Sequence, residues 1–413
     1  MKRLPPCLQS LMQTVAVVCI TACHKQVVTD YETELAGVET HIAELTKQSQ
    51  ADSVPEGTAS SLIAELYRKS SLTALPLDIR AVGLALDRTG SAAGLNLQRA
   101  MIDLKLHNLP EARVIAASFG AGVEDSFVFS LKGDVAAQES RYADARQWYA
   151  RALDRNITWD LLAKVADLDA QTGRWEEAAR GYEAAADEIS AREMRGYAWV
   201  ELQHGLLDLQ GGRVAEALKH YQKAEQAYSG YWLTADHLAE ALACQGDFPA
   251  AIAQYARLLE RVPRPELFHA LGDLYMFTGK PALAREPYQK ALQGYLDSVN
   301  RGEMLYYHHL AVYYSDSWPD SGEALIWARR DRELRPCAAT HEALAWALHL
   351  HHEPAAAAVE LDAALATGAR SPHLWCRAAI VLHAAGRNAE SERFHNELLR
   401  MNPGYETSFH VHR

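Results

Sequence analysis

The sequence predicts an all-α fold, a solenoid of stacked antiparallel helix pairs, and three observations predict it. First, residues 126–403 repeat at a period of about 34. Alanines recur at Ala145, Ala178, Ala217, Ala251, Ala284, Ala324 and Ala357, with Ser391 closing the series. The steps are 33, 39, 34, 33, 40, 33 and 34. Second, a tyrosine follows each of the first five alanines by four residues, at Tyr149, Tyr182, Tyr221, Tyr255 and Tyr288, giving way to Ala328, Leu361 and His395. A further small residue follows at Ala152, Ala185, Ala224, Ala291 or Ala364. Third, five residues before the alanine stands Gly173, Gly212, Gly246, Gly279 or Gly386, with Ser140 and His352 as substitutes.

Each column has a physical reason. A residue in the left-handed region turns the chain from one helix into the next, and glycine does so without a Cβ penalty. The alanine lets the second helix approach the first closely, and the tyrosine fills the space beside it. One such pair cannot bury its apolar face alone, so neighbours must stack. Prolines close repeats at Pro263, Pro336 and Pro403.

The pattern resembles the tetratricopeptide repeat. Its clearest copy runs Leu271-Gly272, Tyr275, Gly279, Ala284, Tyr288, Ala291. The resemblance implies a right-handed superhelical solenoid of about eight to nine repeats, the ninth being a degenerate copy around Ala100–Phe119 centred on Leu106 and Ala112. Extra residues fall near 187–196 and 297–320, and the sixth copy has Trp318-Pro319 where a glycine turn is expected.

Taken in order, residues 1–22 read as a signal peptide. Lys2 and Arg3 precede an uncharged stretch, Leu11 to Ala22, too short to span a bilayer, which needs about 20 residues. It ends in Ile20-Thr21-Ala22-Cys23, which resembles a bacterial lipobox and implies acylation at Cys23. His24 follows where an aspartate favours inner-membrane retention, so the resemblance implies an outer-membrane lipoprotein facing the periplasm. Residues 23–57 read as a tether and a helix. Thr29 with Glu32 forms a capping box, and Leu35, Val38, Ile42 and Leu45 form an apolar stripe. That stripe suits a cap on the solenoid or a short coiled coil. Residues 58–125 are degenerate helical repeats, 126–403 the regular array, and 404–413 a loose tail.

Composition narrows the function. The chain has 41 basic and 53 acidic residues, net −12, and loss of Lys2 and Arg3 with the signal makes it −14. Phosphate binding requires lysine and arginine, so nucleic acid is excluded as a partner. Beyond Cys23, Cys244, Cys337 and Cys376 remain, an odd number without a CxxC spacing, so no disulfide framework is expected. There is no GxSxG, P-loop, HExxH or glycine-rich phosphate loop; no catalytic residue and no cofactor are expected.

In the family, first helices line the concave surface. Mapping that surface onto this sequence gives carboxylates at Asp134, Asp167, Asp236, Glu240, Glu266 and Asp273. It gives apolar groups including Phe127, Trp199, Leu202, Leu206, Leu233, Met276 and Trp346, and histidines at His269, His308, His349, His373 and His383. Lysine and arginine are almost absent from these positions, so the lysine–asparagine–lysine–arginine clamp that holds acidic chaperone tails is missing. The expected function is a membrane-anchored scaffold that binds a protein or peptide, basic or apolar, in an acidic and aromatic groove. A second reading is metal handling by the C-terminal histidines. His349 and His352 stand i, i+3 and would share a helix face, with His308, His383 or Glu342 nearby.

Overall fold

Small residues at close-approach positions and aromatics beside them fold the chain into paired helices. The structure is a computed structural model and describes residues 29–50, 57–89, 95–120 and 122–409. Cys23, and with it the lipobox, lies outside the described residues. Twenty-one α-helices are described and no strand. Among the described residues no helix is long and apolar enough to cross a membrane.

Three helices come first: α1 (Tyr31–Ser49), α2 (Thr58–Thr73) and α3 (Pro76–Arg88). Nine pairs follow. They are α4 (Asn96–Lys105) with α5 (Leu109–Ser118), α6 (Ser126–Gln138) with α7 (Tyr142–Leu153), and α8 (Trp159–Gln171) with α9 (Trp175–Glu188). Then come α10 (Met194–Gln210) with α11 (Val214–Ala227), α12 (Trp232–Cys244) with α13 (Phe248–Arg261), and α14 (Pro265–Phe277) with α15 (Pro281–Asn300). The last are α16 (Tyr307–Val312) with α17 (Ser321–Leu334), α18 (Ala338–Leu350) with α19 (Pro354–Ala366), and α20 (Pro372–Ala384) with α21 (Asn388–Met401). First helices of neighbouring pairs touch one another, as α10 does α12 and α18 does α20, which puts them on the inner side of the curve.

The residue columns do what their chemistry requires. The alanines from Ala145 to Ala357 are at most 1% exposed, and the tyrosines from Tyr149 to Tyr288 at most 3%. The turn residues hold positive φ, Gly279 at 70°, and so do their substitutes Ser140 (55°) and His352 (63°). His107 (61°) does the same between α4 and α5, marking the degenerate ninth copy as a true repeat.

Three local expectations need correction. Thr29 is not the cap of α1. Its carbonyl accepts from Ser229 N at 2.8 Å, and Asp30 caps instead, its carboxylate accepting from Thr33 N at 2.8 Å. The tail is held as far as Phe409, which is buried against Phe277 and whose carbonyl accepts from Cys244 Sγ. In the sixth copy a π-helical segment, Tyr313–Ser317, replaces the glycine turn. Its extra residue per turn carries Trp318 N to Tyr313 O and Asp320 N to Tyr314 O, both at 2.8 Å. The apolar stripe of α1 is spent inside the chain. Val38 is buried, Leu35 and Ile42 pack on the core, and Tyr31 meets Tyr228 and Tyr231.

The superhelix is wound so tightly that successive turns touch. Ser140 Oγ accepts from Ala338 N, 198 residues on, at 2.9 Å. Arg370 N donates to Gln171 O at 2.8 Å, and Asn402 Nδ2 donates to Gln210 O at 3.2 Å. Trp175 and Trp375 meet edge to face at 5.5 Å. Nearer the N-terminus Trp232 Nε1 donates to Leu72 O, and Arg264, stacked on Trp232, donates to Thr73 O and Ala74 O.

Candidate partner-binding surface

The inner face is built from first helices, and its carboxylates are already engaged. A recurring unit explains three of them. In α6, α8 and α14 the carboxylate stands fifteen residues before the tyrosine of the second helix and accepts its hydroxyl proton. Tyr149 donates to Asp134 at 2.9 Å, Tyr288 to Asp273 at 2.8 Å, and Tyr182 to Asp167. Lys164 adds an ion pair to Asp134 at 2.8 Å. Burial pushes the Asp167 carboxyl up to about 6.

The remaining acids are held as well. Glu266 pairs with Arg264 at 2.8 Å and accepts from Tyr306 at 3.1 Å. Asp236 and Glu240 are buried, with Glu240 3.4 Å from His237. The expectation that Asp236 and Glu240 present charge to a partner is therefore revised: the tight coil and close-packed first helices take them out of solvent. Arginines absent from the mapped positions, Arg264 and Arg377 among them, neutralise this face. Arg377 pairs with Asp316 at 2.9 Å, and Trp346 Nε1 donates to the same carboxylate at 2.8 Å.

His269, Asp273 and Ser317 form a buried trio that needs a chemical reading. His269 Nε2 lies 2.7 Å from Ser317 Oγ, and Ser317 donates to Asp273 at 2.6 Å. The other imidazole nitrogen faces Tyr295 Oη at 3.1 Å. A nucleophilic relay needs the serine proton to pass to histidine and the carboxylate to sit behind the far nitrogen. Here the serine gives its proton to the carboxylate and a tyrosine stands behind the ring. The trio pins the π-helical segment of the sixth repeat to α14.

The other mapped residues divide. Trp199 is half-buried against Trp159, and His308 faces Asp331 at 3.4 Å. Burial pushes the Asp331 carboxyl up, but His308 and Arg335 outweigh it and hold it at about 2. His373 pairs with Glu342 at 2.5 Å. Phe127 and Met276 are exposed. His349 and His383 share one hollow, whereas His352 does not join His349 on a helix face. The helix ends at Leu350, and His352 lies in the turn beyond it in left-handed conformation. The i, i+3 argument for a metal there fails for that reason.

Two spaces between helices are open enough to take a side chain. A cavity of about 370 Å³ lies between successive superhelical turns, lined by Asp167, Tyr182, Gln203, Leu206, Glu342 and Arg370 among others. A hollow of about 510 Å³ lies at the C-terminal end. Ala379, Ile380 and Leu398 give it an apolar lining, His349, His383 and His395 line it further, and Glu392 and Glu406 are exposed carboxylates at its edge. His395 escaped sequence reasoning because it occupies a tyrosine position of the repeat.

Stacked pairs with small-residue contacts, left-handed turns and a first-helix inner face define a helical-repeat solenoid of the tetratricopeptide kind. The family model described as tetratricopeptide repeat matches residues 98–158 and 238–298. No curated protein matches the sequence. Among solved structures the chain is similar to a tetratricopeptide repeat protein from Parabacteroides merdae, at 16% identity over 59% of this chain and 93% of that one, TM-score 0.36. It is also similar to the Cut9-Hcn1 hetero-tetramer of APC/C, at 15% identity over 90% and 95%, TM-score 0.36. A Rap protein complexed with competence and sporulation factor gives 13% identity over 89% and 98%, TM-score 0.47.

Proposed function

We propose that the protein is a lipid-anchored scaffold of the cell envelope that holds another protein by a short segment seated in its C-terminal hollow. One observation carries the partner reading. Coiling engages the carboxylates in the middle of the inner face, while the hollow beside Ile380 and His383 stays open, apolar within and acidic at its edge. An apolar side chain flanked by lysine or arginine fits that chemistry: apolar burial supplies affinity and the exposed acids supply attraction and selectivity.

The anchor rests on the Ile20–Cys23 box. Two or more acyl chains hold a protein stably where one holds it marginally. The cell-envelope placement, at the outer membrane and facing the periplasm, rests on the same box and on His24.

Both parts are testable apart. A library of basic-apolar and acidic-apolar peptides is offered to purified protein, with binding read by fluorescence anisotropy. The basic set should bind, and Ile380→Glu, on an exposed position, should abolish binding with the circular dichroism spectrum unchanged. Equal binding of both sets, or full binding by the variant, overturns the seat. For the anchor, Cys23→Ala should move the protein from the membrane fraction to the soluble fraction or stop its processing. Unchanged fractionation and gel mobility would overturn that reading.

A further inference from the structure

We propose that His204, Asp208 and His220 form a zinc(II) site that ties α10 to α11, with Glu201 orienting His220. One ligand atom from each of the three lies within 4.8 Å of the others. His204 and Asp208 stand one turn apart on α10, and His220 faces them from α11, its ring centroid 4.0 Å from that of His204. A tetrahedral ion with bonds of about 2.0–2.1 Å needs its ligands roughly 3.3 Å apart. Binding would turn the two imidazole rings out of their present tilted contact and draw the three ligand atoms to that spacing. Water supplies the fourth position.

The hydrogen bonds around the trio point the right atoms inward. Nδ1 of His220 lies 2.6 Å from Glu201 Oε2, which leaves Nε2 facing Asp208 Oδ2 at 3.6 Å. A histidine that donates one nitrogen to a carboxylate and turns the other to a metal is the usual second-sphere arrangement. Arg213 takes the other oxygen of Asp208, Oδ1, at 2.8 Å, and Lys223 stands 3.6 Å from Glu201. Two cations thus balance two carboxylates, so the ion meets a neutral pocket.

The preceding repeat supplies an internal control. Asp169 and Arg174, 39 residues before Asp208 and Arg213, make the same turn ion pair at 3.3 Å. Val165, Gly181 and Leu162 stand where His204, His220 and Glu201 stand. The repeat therefore needs the carboxylate and the arginine for its turn but not the histidines or the glutamate. The bridge between Glu201 and His220 has a reversed counterpart in His341 and Glu360, also at 2.6 Å, where Leu348 stands in place of Asp208 and no second histidine joins; His204 is what the fourth pair adds, and it converges with His220 and Asp208 on one point.

The test is zinc alone, titrated into the purified chain by calorimetry at micromolar concentration. Wild type should bind one ion and melt at a higher temperature with zinc than with a chelator. His204→Gln with His220→Gln should lose both effects, and Glu201→Gln should weaken binding by about 10–100-fold. Replacing His349, His383 and His395 with glutamine should change neither, which separates this site from the C-terminal histidines and from the peptide seat. Should the double variant fail to fold, chemical modification of wild-type histidines answers instead: zinc should protect His204 and His220. No zinc binding by wild type, binding unchanged in the double variant, or protection confined to the C-terminal histidines overturns the site.

Discussion

Gly272 sits under a tyrosine ring, and replacing it with alanine should destabilise the protein although alanine is the better helix former. A Cβ built at Gly272 would stand 2.4 Å from both Cδ1 and Cε1 of Tyr288, where ordinary contact begins at 3.4 Å. The overlap is an ångström against two carbons at once. The ring has little room to retreat. Its hydroxyl is bound to Asp273 at 2.8 Å, and the rings of Tyr313 and Trp318 stand edge-on at 5.8 and 6.2 Å. Overpacking costs about 1–3 kcal/mol, and a pinned aromatic puts this case near the top of that range. Against it stands a helix-propensity gain of about 1 kcal/mol. The net is a loss of about 2 kcal/mol. Gly37, in the middle of α1, has nothing within 4 Å of its missing Cβ, so Gly37→Ala should gain about 0.5–1 kcal/mol. Urea unfolding followed by circular dichroism should move the two midpoints in opposite directions. Midpoints are compared because repeat arrays need not unfold in one step. A Gly272→Ala protein as stable as wild type would refute the argument.

Trp175→Ala should loosen the contact between superhelical turns, and hydrogen exchange at Arg370 N, bound to Gln171 O, should then accelerate; unchanged exchange would mean that the tryptophan edge does not hold the turns together. Asp167, whose carboxyl burial pushes from 3.8 to about 6, binds its proton more tightly folded than unfolded. Its contribution is therefore full below pH 3.8 and lost as pH rises through about 6, by up to about 3 kcal/mol. Asp167→Asn should raise the urea midpoint at pH 7.5 and not at pH 3.5, and an equal change at both would contradict that assignment. Ala284→Trp, at a position 1% exposed between two helices, should cost on the order of 1–3 kcal/mol or more by overpacking, and a wild-type melting temperature would contradict the repeat register.

The repeat was legible because its rules are local. Ala284, Tyr288 and Gly279 lie within ten residues, and each follows from the geometry of one helix pair. The tyrosine–carboxylate unit was also in the sequence, at a constant spacing of fifteen in Asp134–Tyr149, Asp167–Tyr182 and Asp273–Tyr288. Read as groove charges, those carboxylates looked free because spacing shows which face a residue takes but not which donor already occupies it. The closure of the coil was not legible. Ser140 with Ala338, or Gln171 with Arg370, are joined across about two hundred residues by the accumulated angle of six repeats, and no local pattern encodes that sum. The π-helical segment escaped for a related reason: Ser317 is drawn to His269 and Asp273 by a polar site that exists only once α14 is in place.

The coil also brings the two ends of the described chain to the same place. Asp30 bridges to Ser229 just before α12, and Arg261 at the end of α13 pairs with Glu32. From the other end, Phe409 packs on Phe277 and accepts from Cys244. Residues 229–277 therefore hold both the start and the finish of the described chain. Under the proposed acylation this has a mechanical consequence. Six residues separate Cys23 from Asp30, seven steps along the chain and a reach of at most roughly 25 Å when fully extended. The anchored corner beside Ser229 must then stay within that distance of the membrane, and the repeats cannot swing away on a long tether. Under the proposed function, a pull on a segment bound in the C-terminal hollow would be passed through Asn402 to α10 and through Phe409 to α12 and α14. The tight winding under which Asp236 and Glu240 are buried would thus, under the proposed anchoring, also keep a bound segment close to the membrane.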